Sequence, residues 1–224
     1  QTRNGKRTAA AMVRIAMDLL RERKIDERTA LLRLEPNKLD ELLHPVFDTK
    51  AMAEAKVLAR GLPASPGAAT GQLVFHADEA RRFPVTILAR IETSPEDLEG
   101  MDIAMGILTA RGGMTSHAAV VARGMGKCCV SGASTCVIDY KSRTLKVAGK
   151  TFKEGDWISL NGSTGEVCEG KIATVEPELS GYFGEVMALA DKYRSMTVRA
   201  NAETERDAKK ARYFGAEGIG LCRT

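Results

Sequence analysis

The run Gly112-Gly113-Met114-Thr115-Ser116-His117-Ala118-Ala119-Val120-Val121-Ala122-Arg123-Gly124 constrains this chain more than any other stretch. Two adjacent glycines allow a tight turn and a close approach of backbone to a ligand. Thr115 and Ser116 both suit a helix N-cap. The small apolar residues that follow predict a helix over 116–123 packed against a sheet. His117 then stands at the mouth of that helix, where unpaired N–H groups and the positive end of the dipole favour an anion. Two readings of the residue stand side by side: a histidine that accepts a phosphoryl group, or a side chain that plugs a helix start.

Around this run the pattern changes along the chain. Residues 6–34 read as helix with a break near Ile25-Asp26, since Ala9, Val13, Ala16, Met17 and Leu20 recur at helical spacing. A short segment from Lys38 to Leu43 follows. A turn-rich junction, Gly61-Leu62-Pro63-Ala64-Ser65-Pro66-Gly67, marks the main boundary. Beyond it short strands are predicted at 71–75, 85–89, 107–109, 128–130, 145–147 and 157–160, with helices at 77–82, 95–104 and 116–123. Thr93-Ser94-Pro95-Glu96-Asp97 reads as a helix start, with a hydroxyl cap, a proline and first-turn acids. Strands outnumber helices, and only some are joined by helical crossovers. The expectation is α/β, with a compact β/β/α domain over 61–172 in place of a doubly wound fold. A helical linker over 173–195 and a strand–helix–strand unit over 196–224 complete the chain.

Composition narrows the function classes. Of 224 residues, 44% are hydrophobic and 28% charged, which is a globular balance. Thirty-three basic and twenty-nine acidic residues leave a net charge of only +4. The basic stretches 21–24 and 209–212 lack an aromatic platform and read as solvated helix faces, so no nucleic-acid partner is expected. The apolar runs are too short to span a bilayer, so no membrane partner is expected. Five cysteines, two adjacent at Cys128 and Cys129, match neither a disulfide framework nor a metal spacing. They read as strand packing in an intracellular, reducing compartment; cytoplasm, plastid and glycosome are not distinguished. His44 and His76 sit in turn-like places and carry weak claims to substrate contact. The chain reads as cut at both ends, since it opens on Gln1 and stops at Arg223-Thr224.

The segment from Thr109 to Gly132, TARGGMTSHAAVVARGMGKCCVSG, resembles the phosphohistidine signature of the pyruvate, phosphate dikinases. The resemblance runs on through GLPASPGAATG at 61–71, ETSPEDLEGM at 92–101, LNGSTGEV at 160–167 and GAEGIGLCRT at 215–224. It covers nearly the whole chain, with the motifs in family order. Related segments occur in phosphoenolpyruvate synthase and in enzyme I of the sugar phosphotransferase system. The CCVSG continuation favours the dikinases.

That resemblance implies an organisation and a reaction. Residues 1–60 would hold the end of an ATP-grasp nucleotide domain and a helical linker. Residues 61–172 would be the swivelling phosphohistidine carrier, flanked by helical linkers. Residues 196–224 would be the first βαβ piece of a (β/α)8 barrel that binds phosphoenolpyruvate. His117 would carry a phosphoryl group derived from ATP to pyruvate, with phosphate as co-substrate and AMP and pyrophosphate as products. Gln1 and Arg3 would reach the nucleotide phosphates, the guanidinium fork suiting phosphate oxygens. Arg223, after a barrel strand, would grip the phosphate of phosphoenolpyruvate. Thr115 matches the threonine that plant dikinases phosphorylate to switch the enzyme off. Magnesium would serve the full enzyme with no ligands from this chain, and the full enzyme would be a homodimer. Phosphoenolpyruvate synthase and a non-catalytic phosphocarrier resembling enzyme I remain as alternatives.

Overall fold

The computed structural model describes residues 7–176 and 181–222. These fall into two compact units, one of residues 7–11 with 35–176 and one of 12–34 with 181–222. In chain order the elements begin with α1 (Ala9–Arg21), α2 (Glu27–Leu32), α3 (Pro36–Leu39), β1 (Val46–Phe47) and α4 (Thr49–Ala53). Next come β2 (Val57–Arg60), β3 (Leu62–Ser65), β4 (Ala68–Val74), β5 (Thr86–Arg90), α5 (Leu98–Ile103), β6 (Gly106–Thr109) and α6 (His117–Met125). Then follow β7 (Cys128–Ser131), β8 (Val137–Asp139), β9 (Thr144–Val147), β10 (Lys150–Lys153), β11 (Trp157–Asn161), β12 (Glu166–Glu169) and β13 (Thr174–Val175). The chain closes with α7 (Gly181–Tyr193), β14 (Arg199–Ala200), α8 (Glu205–Tyr213) and β15 (Gly218–Ile219).

The first unit is built on one mixed eight-stranded sheet, ordered β2-β12-β11-β4-β5-β6-β7-β3. Its centre, β4 to β7, is parallel, and both flanks are antiparallel. Parallel neighbours need a crossover; α5 supplies it between β5 and β6, and α6 between β6 and β7. The strands alternate between two cores because successive side chains leave a strand on opposite faces. Ile87, Ala89, Leu108, Cys128 and Val130 face one core, shared with Ile138, Leu145, Val147 and Phe152 of the small β8-β9-β10 sheet. Leu88, Ile107 and Cys129 face the other, shared with Met101 of α5 and Ala118, Ala119 and Ala122 of α6. The result is small sheet, large sheet, helices.

Several expectations needed adjustment. The stretch 61–67 is not only a junction, because Leu62–Ser65 forms edge strand β3 against β7. Pro63 is tolerated there because an edge strand need not donate on both sides. Strand β2 lies before the expected boundary at 61 and pairs with β12. Only Gly61 separates β2 from β3, yet they are the two ends of the sheet, so the sheet curls until its edges are joined by one stretch of chain. The Cys128 thiol bridges that curl, lying 3.2 Å from the Gly67 carbonyl and 3.5 Å from that of Leu160. Residues 77–82 shrink to a 3-10 turn at Ala77–Glu79, and 95–104 divides into a 3-10 turn at Pro95–Asp97 and α5. Helix α6 outruns its expected end at 123 because Gly126, at φ 65°, is the first left-handed residue. There the amides of Gly126 and Lys127 close a Schellman-type cap, bonding to Arg123 and Ala122.

In the second unit Asp26 caps α2 by accepting from the Thr29 amide at 2.7 Å, which explains the break read near Ile25-Asp26. Arg21 reaches Glu185 at 2.6 Å and the Tyr182 hydroxyl at 3.0 Å, and Lys192 reaches Glu27 at 2.6 Å. Strands β14 and β15 pair in parallel, Arg199 with Gly218 and Ala200 with Ile219, with α8 as the crossover.

Candidate functional site

The carboxyl ends of the parallel strands β5, β6 and β7 bring three loops together, the usual place for chemistry in an open parallel sheet. The loop after β6 carries Gly112 to Ser116 into α6, the loop after β5 carries Thr93, and β7 ends at Ser131-Gly132. Gly112 and Gly132 fix how closely these loops meet. Gly112 holds φ 107° and Gly132 φ 66°, a region that side-chain-bearing residues rarely adopt. A Cβ on Gly132 would lie 2.5 Å from the Gly112 carbonyl oxygen, so the contact admits only glycine.

Ser116, of the two candidate caps, is the one used: its Oγ accepts from the Ala119 amide. That hydroxyl continues into a chain, 3.3 Å from Ser131 Oγ, which is itself 3.1 Å from Thr109 Oγ1. Three hydroxyls thus tie the start of α6 to the ends of β6 and β7. Arg123 braces the same turn from within the helix, its Nε donating to Ala119 O at 3.1 Å and its Nη2 to the Met114 carbonyl. The loop before the histidine is therefore fixed, although Gly113, Met114 and Thr115 are exposed.

His117 is the first residue of α6 and is half-buried. Its Nδ1 lies 3.0 Å from Thr93 Oγ1. Among the described residues Nε2 has no partner. The amides of His117 and Ala118 open the helix, and first-turn amides have no intrahelical acceptor. The site therefore offers one ring nitrogen held by a hydroxyl, a second that is unoccupied, and free N–H groups beside it. A cavity of about 510 Å³ is lined by Glu41, Phe47, Met52, Gly67 and Asn161, and His117 is not among its lining residues.

The other sequence-predicted residues are placed differently. Thr115 is exposed and, two residues before His117, belongs to the same turn. Gln1, Arg3 and Arg223 lie outside the described residues. His76 stacks obliquely on Tyr140, the rings 5.6 Å apart, and His44 packs its Cβ near Gly67. Neither is brought to His117. Burial pushes the thiols of Cys128 and Cys129 up to about 12, so both are packing groups and not nucleophiles. Among the described residues, no group of three or more His, Cys, Asp or Glu side chains is placed to hold a metal ion.

Thr93, whose Oγ1 lies beside His117 Nδ1, is a site residue that sequence reading did not single out. It was visible only as part of a helix start, and nothing in spacing links it to a histidine 24 positions later.

The profile of the PEP-utilising enzyme mobile domain matches residues 83–165, which hold His117, Thr93 and all three loops. The profile of the PEP-binding domain of the same enzymes matches residues 177–224. The chain belongs to the PEP-utilising enzymes. Along its whole length it is 55% identical to the pyruvate, phosphate dikinase of Clostridium symbiosum and 54% identical to that of Giardia intestinalis. It is also 55% identical to a chloroplastic pyruvate, phosphate dikinase of Mesembryanthemum crystallinum. The chain spans about a quarter of the length of these relatives, 26%, 26% and 24% respectively. Among the described residues, no helix is long and apolar enough to cross a membrane.

Proposed function

We propose that this chain is the phosphoryl-carrying part of an enzyme that interconverts ATP, phosphate and pyruvate with AMP, pyrophosphate and phosphoenolpyruvate. The observation that carries the reading is His117, at the mouth of α6 with Nδ1 held at 3.0 Å by Thr93 and Nε2 unoccupied. The dikinase reading stands above the synthase and the non-catalytic carrier because the relatives that match the whole chain bear the dikinase name.

The chemistry follows from the ring. An imidazole attacks through the nitrogen that lacks a proton, so attack by Nε2 requires the proton on Nδ1. With the proton on Nδ1, Thr93 Oγ1 at 3.0 Å is placed to accept it and to hold the ring with Nε2 free. As the Nε2–P bond forms, the bond from phosphorus to the leaving oxygen breaks and the electron pair departs with that oxygen. In the second transfer the enolate oxygen of pyruvate attacks phosphorus and the P–N pair returns to Nε2. Covalent capture divides one difficult transfer into two easier ones. The free first-turn amides of α6 offer hydrogen bonds to the phosphoryl oxygens.

A half-buried histidine on an open surface suits a group that visits two other sites. In this reading the first unit is a swivelling carrier, and the β14–α8–β15 unit begins the barrel that binds phosphoenolpyruvate. Gln1 and Arg3 serve the nucleotide end, Arg223 the phosphoenolpyruvate end, and Thr115 is a regulatory phosphorylation site. Magnesium belongs to the partner domains of a homodimeric full enzyme. An intracellular, reducing compartment is supported by five free cysteines, four of them buried.

The test is labelling of the full-length protein. With ³²P-phosphoenolpyruvate, the wild type is expected to take up an acid-labile, base-stable label, and His117→Ala none. Label retained by folded His117→Ala would overturn the assignment. Arg223→Ala should lose this labelling by orders of magnitude and keep labelling from ATP.

A further inference from the structure

The loop that carries Thr93 is held by a charged cluster that the phosphoryl-carrier reading does not use. Arg90 ends β5, with a guanidinium that is largely withdrawn from solvent. Its Nη1 donates to the Phe75 carbonyl at 3.1 Å, and its Nη2 lies 3.3 Å from Asp97 Oδ1. The guanidinium stands 4.9 Å above the Tyr140 ring. Its Nε is buried without a hydrogen-bond partner. Asp97 is only 4% exposed.

Each partner of Arg90 then holds one end of the loop. The Tyr140 hydroxyl accepts from the Ile91 amide at 2.8 Å. Asp97 Oδ2 accepts from the Ser94 amide at 2.9 Å. Backbone bonds from Ala110 to Arg90 and from Arg111 to Ile91 extend the sheet as far as residue 91 and stop there. Between the two anchored amides lies Thr93, whose hydroxyl meets only His117 among the described residues.

We propose that Arg90, Asp97 and Tyr140 form a positioning clamp that sets Thr93 against Nδ1 of His117 and so decides which ring nitrogen is free to react. The three touch no substrate and act through Thr93. Core packing gives a poor reason for such a cluster, because a buried ion pair costs desolvation that an apolar replacement avoids. A loop that must place one hydroxyl within hydrogen-bond reach gives a direct one. The inference rests on the phosphoryl-carrier reading for its purpose, but the tautomer of the unphosphorylated ring tests it independently.

The experiment uses the 224-residue chain with ¹⁵N-histidine, and the side-chain nitrogen shifts of His117 report which nitrogen bears the proton. The wild type is expected to show a proton on Nδ1. Thr93→Val should shift the tautomer ratio toward Nε2–H by about two- to tenfold, the effect of one ordinary hydrogen bond. Thr93→Ser should restore the wild-type pattern. Asp97→Asn and Arg90→Met should shift the ratio in the same direction as Thr93→Val although Thr93 is intact. Tyr140→Phe, which removes only the hydroxyl, should shift it less. Lys150→Gln breaks an exposed ion pair with Glu169, away from the site, and should leave the ratio unchanged. If Arg90→Met fails to fold, Asp97→Asn and Tyr140→Phe carry the test. Wild-type tautomer ratios in folded clamp variants, or an equal shift in Lys150→Gln, would overturn the clamp. An intact clamp in a chain whose full enzyme never labels His117 would instead refute the carrier reading alone.

Discussion

The two faces of the large sheet are sealed in different ways. Toward the small sheet, Ile87, Leu108, Val130, Leu145 and Phe152 close an apolar core. Toward the helices, the core of Leu88, Met101, Ile107 and Ala119 is equally buried, but its margin at the strand ends is polar. There Thr109, Ser116 and Ser131 form a chain of hydroxyls, and Thr93 meets His117. One face is fixed by volume and the other margin by hydrogen bonds of defined direction. Stability and reactivity therefore rest on different residues, and substitutions should separate them.

Thiol chemistry should show the largest contrast. With folded-state pKa values pushed to about 12 by burial, Cys128 and Cys129 hold roughly a thousandfold less thiolate than ordinary cysteines at neutral pH. A disulfide reagent at pH 8 is expected to modify exposed Cys222 first and the buried pair only as the chain unfolds. The sign for stability follows. These raised values favour the fold below the ordinary thiol pKa, and that contribution is lost as pH climbs from there toward 12. Alkaline denaturation followed by circular dichroism checks it. Rapid native-state labelling of Cys129 would show that the helix-side core is open.

Truncation inside the sealed face comes next. Leu108 has no exposed surface, so Leu108→Ala should cost about 2–5 kcal/mol in denaturant unfolding, from lost burial and the cavity left behind. His117→Ala at the polar margin should leave the unfolding midpoint within about 0.5 kcal/mol of wild type, the ordinary range for a surface change. Similar losses from both would erase the distinction between the faces.

A smaller effect is expected at Thr115. It is exposed and, among the described residues, no bond to it fixes the site, so Thr115→Val should keep substantial labelling of His117. Thr115→Glu places a charge beside the first-turn amides that an incoming phosphoryl group needs, as a phosphate there would do more strongly. It should slow labelling in the full-length protein by about tenfold, the equivalent of one charge-assisted hydrogen bond. Wild-type rates in folded Thr115→Glu would reduce Thr115 to a loop residue.

The residues around His117 were legible in the sequence because the information is local. Glycines, a hydroxyl cap, a histidine and small helical residues sit within thirteen positions. The six predicted strands of the first unit were readable for a similar reason, being short apolar runs between turn residues. Strands β10 and β12 were missed because each is four residues long with charged ends, KTFK and EVCE. The curl of the sheet escaped notice because β2 and β3 read as a single extended stretch through Gly61, and only pairing sends them to opposite edges. Thr93 was invisible for the most general reason: its partner is brought to it by the parallel order of β5 and β6, which no spacing in the chain records.

The proposed carrier role requires that His117 take the phosphoryl group on one defined ring nitrogen. The 224-residue chain, labelled with ¹⁵N-histidine, can be phosphorylated with phosphoramidate, which forms the N–P bond as ammonia leaves and so needs no partner domain. Phosphorus–nitrogen correlation by NMR then identifies the bonded atom. With Thr93 occupying Nδ1, the adduct at His117 is expected on Nε2, and Thr93→Val should yield a mixture. An adduct on Nδ1 of the wild type would contradict the account.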